Sequence, residues 1–399
     1  MNVLSLFDGM SCGQIALKQL GIIPEKYYAS EIDKHAIKQT QLNFPNTIQL
    51  GDVTRVDVSK LEPIDLLIGG SPCQSFSFAG KRVGMSTADK EEIYTLNRYL
   101  ELKEEGFQFE GESYLFWEYM RILTDIRKYN PNVLFLLENV EMGKKWERVL
   151  SEAIGVYGVH INSALVSAQN RRRIYWTNIR TRRNGLFGEL HSDIPQPEDK
   201  GIILKDILED EVDEKYYVTS KCLEYITKEF RLKKGYTQID SEDKALLLMA
   251  RGYTNWTGDY ICVAMRGRNP DNPSDRRAGS PTEQRLEPNT SGKTNCLTSV
   301  QKDNLILQRS RGNNTGGIFD GKTPTMSACA WEQNNLLSQG KVLRRLTPTE
   351  CARLQTIPNW YKWECSDTQQ YRMLGNGWTV DVIVHILSFI KEKLNINVA

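Results

Sequence analysis

Metal-binding and disulfide patterns are missing from this 399-residue chain. Its eight cysteines, at 12, 73, 222, 262, 296, 329, 351 and 365, include no C-x-x-C pair. Neither a zinc site nor a disulfide framework is therefore expected, and the expected compartment is a reducing cytosol. The four histidines, at 35, 160, 191 and 385, are far apart and give no metal-ligand pattern. No apolar run approaches the roughly 18 residues that a membrane-spanning helix needs. The segment Met1–Gly9 has no basic stretch and no cleavage signal, so a secretory peptide is not expected. A large excess of charge of either sign is also missing. With a net charge of +1, any pull on nucleic acid must come from local patches. The dinucleotide fingerprint G-x-G-x-x-G does not occur after the first apolar run, which argues against a nicotinamide enzyme.

What is present is alternation. The length suits two domains, or one domain carrying an insert. Residues 1–180 alternate short apolar runs with helical patterns. Val3–Phe7, Tyr27–Ile32, Thr47–Gly51, Leu66–Ile68 and Val133–Leu137 read as strands, and Gln14–Leu20 as a helix. Strands alternating with helices predict an α/β protein with a doubly wound, mostly parallel sheet. Residues 88–105 read as a charged helix with Ile93, Leu96 and Leu100 on one face, ended by Gly106. Residues 181–340 read as an inserted, loop-rich domain with β character. Its stretch 266–330 is rich in Arg, Asn, Gly, Ser, Thr and Pro, and carries a weak two-copy repeat. Residues 341–399 return to helical patterns and include an amphipathic helix over Val380–Leu394.

Chemistry-bearing residues fall at the ends of the apolar runs. Asp65-Leu66-Leu67-Ile68-Gly69-Gly70 reads as a buried strand that stops at Ser71-Pro72-Cys73-Gln74-Ser75. Ligands bind at the carboxyl ends of strands in open α/β sheets, so Cys73 is placed as a nucleophile. On this segment alone, a buried structural cysteine is the alternative. Phe7-Asp8-Gly9-Met10-Ser11-Cys12-Gly13 links the first strand to the first helix, where glycines let backbone approach a ligand. Glu31 closes the second run and stands where an acidic residue grips ribose hydroxyls. Asp52 closes the third and could accept from an adenine amine. An acidic pair beside a nucleoside pocket suits S-adenosylmethionine, but carboxylates ending strands are also common on plain surfaces. Glu138 follows the run Val133–Leu137, and a carboxylate there needs a partner or a proton. Along Gln169–Trp176, alternation puts Gln169, Arg171 and Arg173 on one face, with Asn170 and Arg172 on the other. A solvated basic edge strand is the bland alternative.

Together these segments resemble the cytosine-C5 DNA methyltransferase family, in the family's own chain order. Phe7–Gly13 resembles its cofactor loop, Pro72-Cys73-Gln74 its nucleophile motif, Glu138-Asn139-Val140 its glutamate motif, and Gln169, Arg171 and Arg173 its Gln-x-Arg-x-Arg motif. Arg345–Pro348 with Glu350, Arg353–Gln355 and Pro358 is similar to the motif beneath the recognition domain, and Gly375-Asn376-Gly377 with Val380 to the last cofactor motif. The resemblance covers about residues 1–180 and 341–390, leaving 181–340 as the variable target-recognition region. Asp8, Ser11 and Cys12 depart from the bacterial pattern. The Gly9-to-Gly13 spacing and Trp378 look closer to animal de novo DNA methyltransferases.

The resemblance implies a Rossmann-like catalytic domain and S-adenosylmethionine as cofactor, bound by Phe7, Gly9, Gly13, Glu31, Ile32, Asp52, Pro72, Asn376 and Val380. It implies catalysis by Cys73, Glu138, Arg171 and Arg173. Cys73 would attack C6 of a flipped cytosine in duplex DNA, and Glu138 in protonated form would bond N3. Gln74, Ser75, Lys81, Arg82, Gln169, Arg266, Arg268, Arg309 and Arg311 would contact DNA. A monomer is expected, in a bacterial or phage-infected cytoplasm, and a separate cognate restriction endonuclease is compatible. A transfer-RNA cytosine methyltransferase and a silent DNA-binding relative are the competing readings.

Overall fold

The computed structural model describes residues 1–72, 91–185, 188–216 and 346–390. It adds the backbones of short strands at 86–87, 260–268, 283–288, 305–308, 317–319, 335–338 and 341–345. The chain divides into two compact units: Met1–Gly201 with Ala352–Ala399, and Ile202–Cys351.

The first unit is organised by a seven-stranded sheet. In chain order its elements begin β1 (Asn2–Leu6), α1 (Cys12–Gln19), β2 (Lys26–Ser30), α2 (Lys34–Asn43), β3 (Ile48–Gln49) and β4 (Leu66–Gly70). A small two-stranded ladder, β5 (Ser86–Thr87) and β6 (Phe109–Glu110), flanks α3 (Leu96–Glu104). Then come α4 (Phe116–Tyr129), β7 (Leu134–Val140), α5 (Lys144–Ile154), β8 (Val159–Asn162) and β9 (Arg172–Thr177), followed by a hairpin of β10 (Thr181–Asn184) and β11 (Glu189–Ser192). The order across the sheet is β3-β2-β1-β4-β7-β9-β8. The first five strands run parallel, and β9 pairs antiparallel with both β7 and β8.

Composition explains the sheet's centre. β1 is buried at every position, and β4 and β7 are buried at all but their last residue. Continuous apolar runs of this kind suit parallel strands covered on both faces. The order departs in opposite directions from β1, toward β2 and β3 on one side and β4 and β7 on the other. Such a reversal leaves a crevice at the carboxyl ends of the central strands.

The second unit holds β12 (Tyr260–Arg268), β13 (Glu283–Pro288), β14 (Leu305–Gln308), β15 (Gly317–Phe319), β16 (Asn335–Ser338) and β17 (Lys341–Arg345). They form two three-stranded antiparallel sheets, β13-β12-β17 and β15-β14-β16. Helix α6 (Pro348–Leu354) follows, then α7 (Asp367–Asn376) and α8 (Val380–Ser388). The last of these packs on α1. Among the described residues, no helix is long and apolar enough to cross a membrane.

Helix α3 and strand β7 differ from their sequence-based expectation. Of the expected 88–105 helix, residues 88–90 lie outside the described residues and Glu91–Thr95 is not helical. Helix α3 starts at Leu96 because the Thr95 hydroxyl caps it, accepting from the Arg98 N–H at 3.3 Å. Its buried side chains are Tyr99 and Leu102, while Ile93 is buried ahead of the helix. Strand β7 runs on through Val140, so Glu138 lies within the strand and not beyond it. The last helix runs over Val380–Ser388, and residues 391–394 of the expected Val380–Leu394 helix lie outside the described residues.

A buried carboxylate ties α3 and α4 to the sheet's edge. Glu118 is fully buried in α4. It accepts from the Tyr99 hydroxyl at 2.6 Å and the Arg121 Nε at 2.7 Å, and pairs with Lys103. Arg121 in turn donates to the carbonyls of Val53 at 3.2 Å and Val56 at 3.1 Å. The turn just after Asp52 is thereby clamped.

Candidate active site

A cavity of about 400 Å³ opens at the carboxyl ends of β1, β2, β4 and β7. Its size falls within the range of small-molecule sites. Phe7, Asp8, Gly9 and Cys12 line it from the β1–α1 connection, and Glu31 and Ile32 from the end of β2. Asp52 and Val53 follow β3, Gly70, Ser71 and Pro72 end β4, and Glu138 projects from β7. Arg171 and Arg173 come from the start of β9, and Asn376, Gly377 and Trp378 from the α7–α8 junction.

The β1–α1 connection is strained and braced. Phe7 and Ser11 hold φ of 58° and 65°, the left-handed region that side chains disfavour. The Asp8 N–H donates to the Ser30 carbonyl at 3.2 Å, and the Ser11 N–H to the Asp8 carbonyl at 2.9 Å. The Tyr27 hydroxyl donates to Asp8 Oδ1 at 2.8 Å, and Gln14 Nε2 donates to Ser11 Oγ at 2.9 Å. Glu31 braces the same turn: its Oε2 accepts from the Gly9 N–H at 2.8 Å, and its Oε1 from the Ile32 and Asp33 N–H groups at 2.8 Å each. Burial pushes the Asp8 carboxyl up to about 6, with the Glu31 charge adding to the effect and the hydroxyls of Ser5, Tyr27 and Ser11 opposing it. Burial likewise pushes the Cys12 thiol up to about 12, against a hydrogen bond from the Trp378 main-chain N–H.

Gly13 does not line the cavity. A Cβ there would sit 2.3 Å from Ile68 Cδ1 and 2.9 Å from the Tyr27 hydroxyl. Its lack of a side chain lets α1 lie close on β4. Val380 is fully buried at the start of α8 and also lies off the cavity. Asp52 Oδ1 caps the following turn, accepting from the Thr54 N–H and hydroxyl at 2.9 Å each. Ile32 stands 77% exposed beside Glu31, an apolar face at the cavity's acidic end.

At the other end, Glu138 is held at both oxygens. Arg173 Nε is 2.9 Å from its Oε1, and Trp378 Nε1 donates to its Oε2 at 3.2 Å. Arg171 donates to the carbonyls of Gly377 at 2.8 Å and Gly375 at 3.4 Å, joining the start of β9 to the α7–α8 junction. The expected alternation holds along this segment. Gln169, Arg171 and Arg173 are buried, and Asn170 and Arg172 are exposed, although β9 itself begins only at Arg172. Gln169 is wholly buried and off the cavity, so in this structure it presents no surface to DNA. Asn139 Nδ2 donates to Ser71 Oγ at 2.9 Å and pins the end of β4.

Cys73, Gln74, Ser75, Lys81, Arg82, Arg309 and Arg311 lie outside the described residues. Arg266 and Arg268 lie in β12, which is described by its backbone alone. Sequence reasoning overlooked Glu112 and Leu115 before α4, and Arg372 and Met373 in α7, all of which line the cavity. Arg372 pairs with Asp33 at 3.1 Å. A local signal existed only for Asp33, two residues beyond Glu31 and capping α2.

The sheet order, with its cavity at the strand ends, defines a Rossmann-like catalytic fold of the methyltransferase type. Residues 1–392 match the family of C-5 cytosine-specific DNA methylases, and the chain belongs to that family. It is similar to the orphan methyltransferase M.SPRI of Bacillus phage SPR, with 26% identity over 97% of this chain and 96% of the relative. It is also similar to the type II methyltransferase M.NlaX of Neisseria lactamica, with 26% identity over 99% of this chain and 97% of the relative. Among solved structures, S. pombe Dnmt2 methyltransferase shares the fold at a TM-score of 0.55 and 18% identity, over 99% of this chain and 100% of that one. Entamoeba histolytica methyltransferase EhMeth does so at 0.58 and 15%, over 99% and 98%. The protein is a DNA cytosine-C5 methyltransferase.

Proposed function

We propose that the cavity holds S-adenosylmethionine and that Cys73 and Glu138 act together on a cytosine flipped out of duplex DNA. The observation that carries this reading is that Glu138, Pro72 (the residue bonded to Cys73) and the acidic pair Glu31 and Asp52 all line one cavity. The donor set fits the cofactor. Glu31 and Asp52 suit a ribose diol and an adenine amine, the exposed Ile32 suits the flat face of a purine, and the Phe7–Gly9 turn suits the amino-acid end. When bound, S-adenosylmethionine supplies an electrophilic methyl group on a sulfonium centre. Gly13, Val380 and Gln169 support this site by packing rather than by contact.

Cytosine C5 is a poor nucleophile. The Cys73 thiolate adds to C6, and the ring then carries enamine character that makes C5 reactive; once C5 is methylated, loss of its proton to a base lets the C6–S bond break and frees Cys73. Glu138 shares a proton with N3 as negative charge develops on the ring. Arg173 sets the direction of Glu138, and Arg171 keeps the α7–α8 junction against the base site. A stacked base is inaccessible from either face, so the target leaves the duplex at a cost of a few kcal/mol. Gln74 and Ser75 are the residues proposed to meet the opened duplex, and Lys81 and Arg82 to hold its phosphates. Residues 181–340 form the recognition region, in which Arg266, Arg268, Arg309 and Arg311 meet phosphates, so binding weakens steeply with salt.

The test uses duplex oligonucleotides with 5-fluorocytosine at the target position, together with S-adenosylmethionine. Fluorine cannot leave as the C5 proton does, so the protein–DNA bond should persist through denaturing electrophoresis. Cys73→Ser should abolish that band. A band that survives the substitution, or none with wild type on DNA that the enzyme methylates, refutes the role of Cys73.

A further inference from the structure

Glu138 is gripped by a residue that the mechanism above does not use. Trp378 Nε1 donates to Glu138 Oε2 at 3.2 Å, while Arg173 Nε stands 2.9 Å from Oε1. Two donors on two oxygens fix the plane of a carboxyl group, and one donor would leave it free to swing. We infer that Trp378 is a positioning residue for Glu138, its indole N–H and the Arg173 guanidinium together aiming the carboxyl group at the flipped base. The inference rests on the base-contacting role proposed above for Glu138.

Two independent observations show that this contact is built into the fold. The first is the missing side chain at Gly70. Gly70 is the register partner of Glu138 across β4 and β7. A Cβ there would sit 2.8 Å from Trp378 Nε1 and 3.0 Å from Glu138 Oε2. Any other residue at position 70 would push into the space where indole and carboxyl meet.

The second is the anchoring of the backbone on both sides of Trp378. The Gly377 carbonyl accepts from Arg171 at 2.8 Å, and the Gly377 N–H donates to the Met373 carbonyl at 2.7 Å. Thr379 Oγ1 donates to Gln355 Oε1 at 2.9 Å, and Ser163 Oγ lies 2.9 Å from the same hydroxyl. A side chain carried on a stretch pinned at both neighbours has little freedom to wander. Trp378 also lines the cavity, so its ring is one wall of the proposed donor site while its N–H serves the base site.

The experiment measures single-turnover methyl transfer to duplex DNA as a function of S-adenosylmethionine concentration, for wild type, Trp378→Phe and Glu138→Ala. Phenylalanine removes the N–H and keeps an aromatic wall, although a smaller one, and the donor requirement reads that loss of area separately. A hydrogen bond to an ionisable group lost at this point should slow the maximal rate about ten-fold or more. The half-saturating donor concentration should stay within about three-fold of wild type. An unchanged maximal rate in Trp378→Phe, with Glu138→Ala inactive, overturns the inference and leaves the role of Glu138 standing. A wild-type rate in Glu138→Ala overturns both. A donor requirement that rises as much as the rate falls shows a cavity wall only, and also overturns it. Should Trp378→Phe fail to fold, Gly70→Ala separates the same two atoms from the other side. It should slow the maximal rate, and a wild-type rate there refutes the inference.

Discussion

Replacing Asp8 with asparagine should make the protein more stable at alkaline pH and less sensitive to pH overall. Asp8 sits at the turn after β1, nine-tenths buried. Its Oδ1 accepts from the Tyr27 hydroxyl at 2.8 Å, a bond that an asparagine oxygen keeps. Burial lifts its carboxyl from 3.8 to about 6. A group with a raised folded-state value is protonated more readily in the native than in the unfolded chain. Its stabilising contribution is therefore whole below the unfolded value and is lost as pH rises through the folded one. The rise corresponds to about 3 kcal/mol at full ionisation, of which roughly half is lost between about pH 5 and pH 8. Asparagine carries no such penalty. Denaturant unfolding at several values between about pH 5 and pH 8 should show the Asp8→Asn advantage growing by about 1.5 kcal/mol toward alkaline pH. Two parallel pH profiles, or an advantage that shrinks as pH rises, would refute the reasoning.

Two substitutions test the packing that shapes the cavity. Gly13→Ala should destabilise the fold by about 1–3 kcal/mol, because its Cβ meets Ile68 and the Tyr27 hydroxyl at overlapping distance; a thermal midpoint equal to wild type would show that the helix–strand spacing yields easily. Arg121→Ala should lower stability by about 3 kcal/mol, because it removes a charge partner of the fully buried Glu118 and frees the Val53 and Val56 carbonyls. Denaturant unfolding checks this, and a loss below about 0.5 kcal/mol would mean that Lys103 and Tyr99 suffice alone.

The centre of the sheet was readable because β1, β4 and β7 are apolar runs with no competing pattern, and each ends in residues with a chemical task. The end of β7 was not readable, because a carboxylate inside a buried strand looks like a boundary until its partner is known. Arg173, which stands opposite Val140 in the antiparallel neighbour, reaches back to supply that partner and lets the strand continue past Glu138. The start of α3 failed for a similar reason. Glu91 and Glu92 carry helical propensity, yet in the fold they engage Arg98 and Lys145 from a non-helical stretch, while Thr95 takes the cap. Gly13 was legible as important, but its packing on Ile68 and the Tyr27 hydroxyl was not. The bond between Trp378 and Glu138 spans 240 residues of sequence and leaves no local trace. Burial of the Gln169, Arg171 and Arg173 face was foreseen by alternation alone, although only the last of these is in a strand.

The cavity's walls are drawn from segments far apart in the sequence, Phe7 and Trp378 among them. During translation the ribosome must deliver the whole intervening unit before the pocket gains its last wall. A nascent chain halted before residue 372 would carry the sheet's strands and an open gutter in place of a pocket. The donor cavity would thus be completed only once the segment carrying Trp378 has been made and folded back.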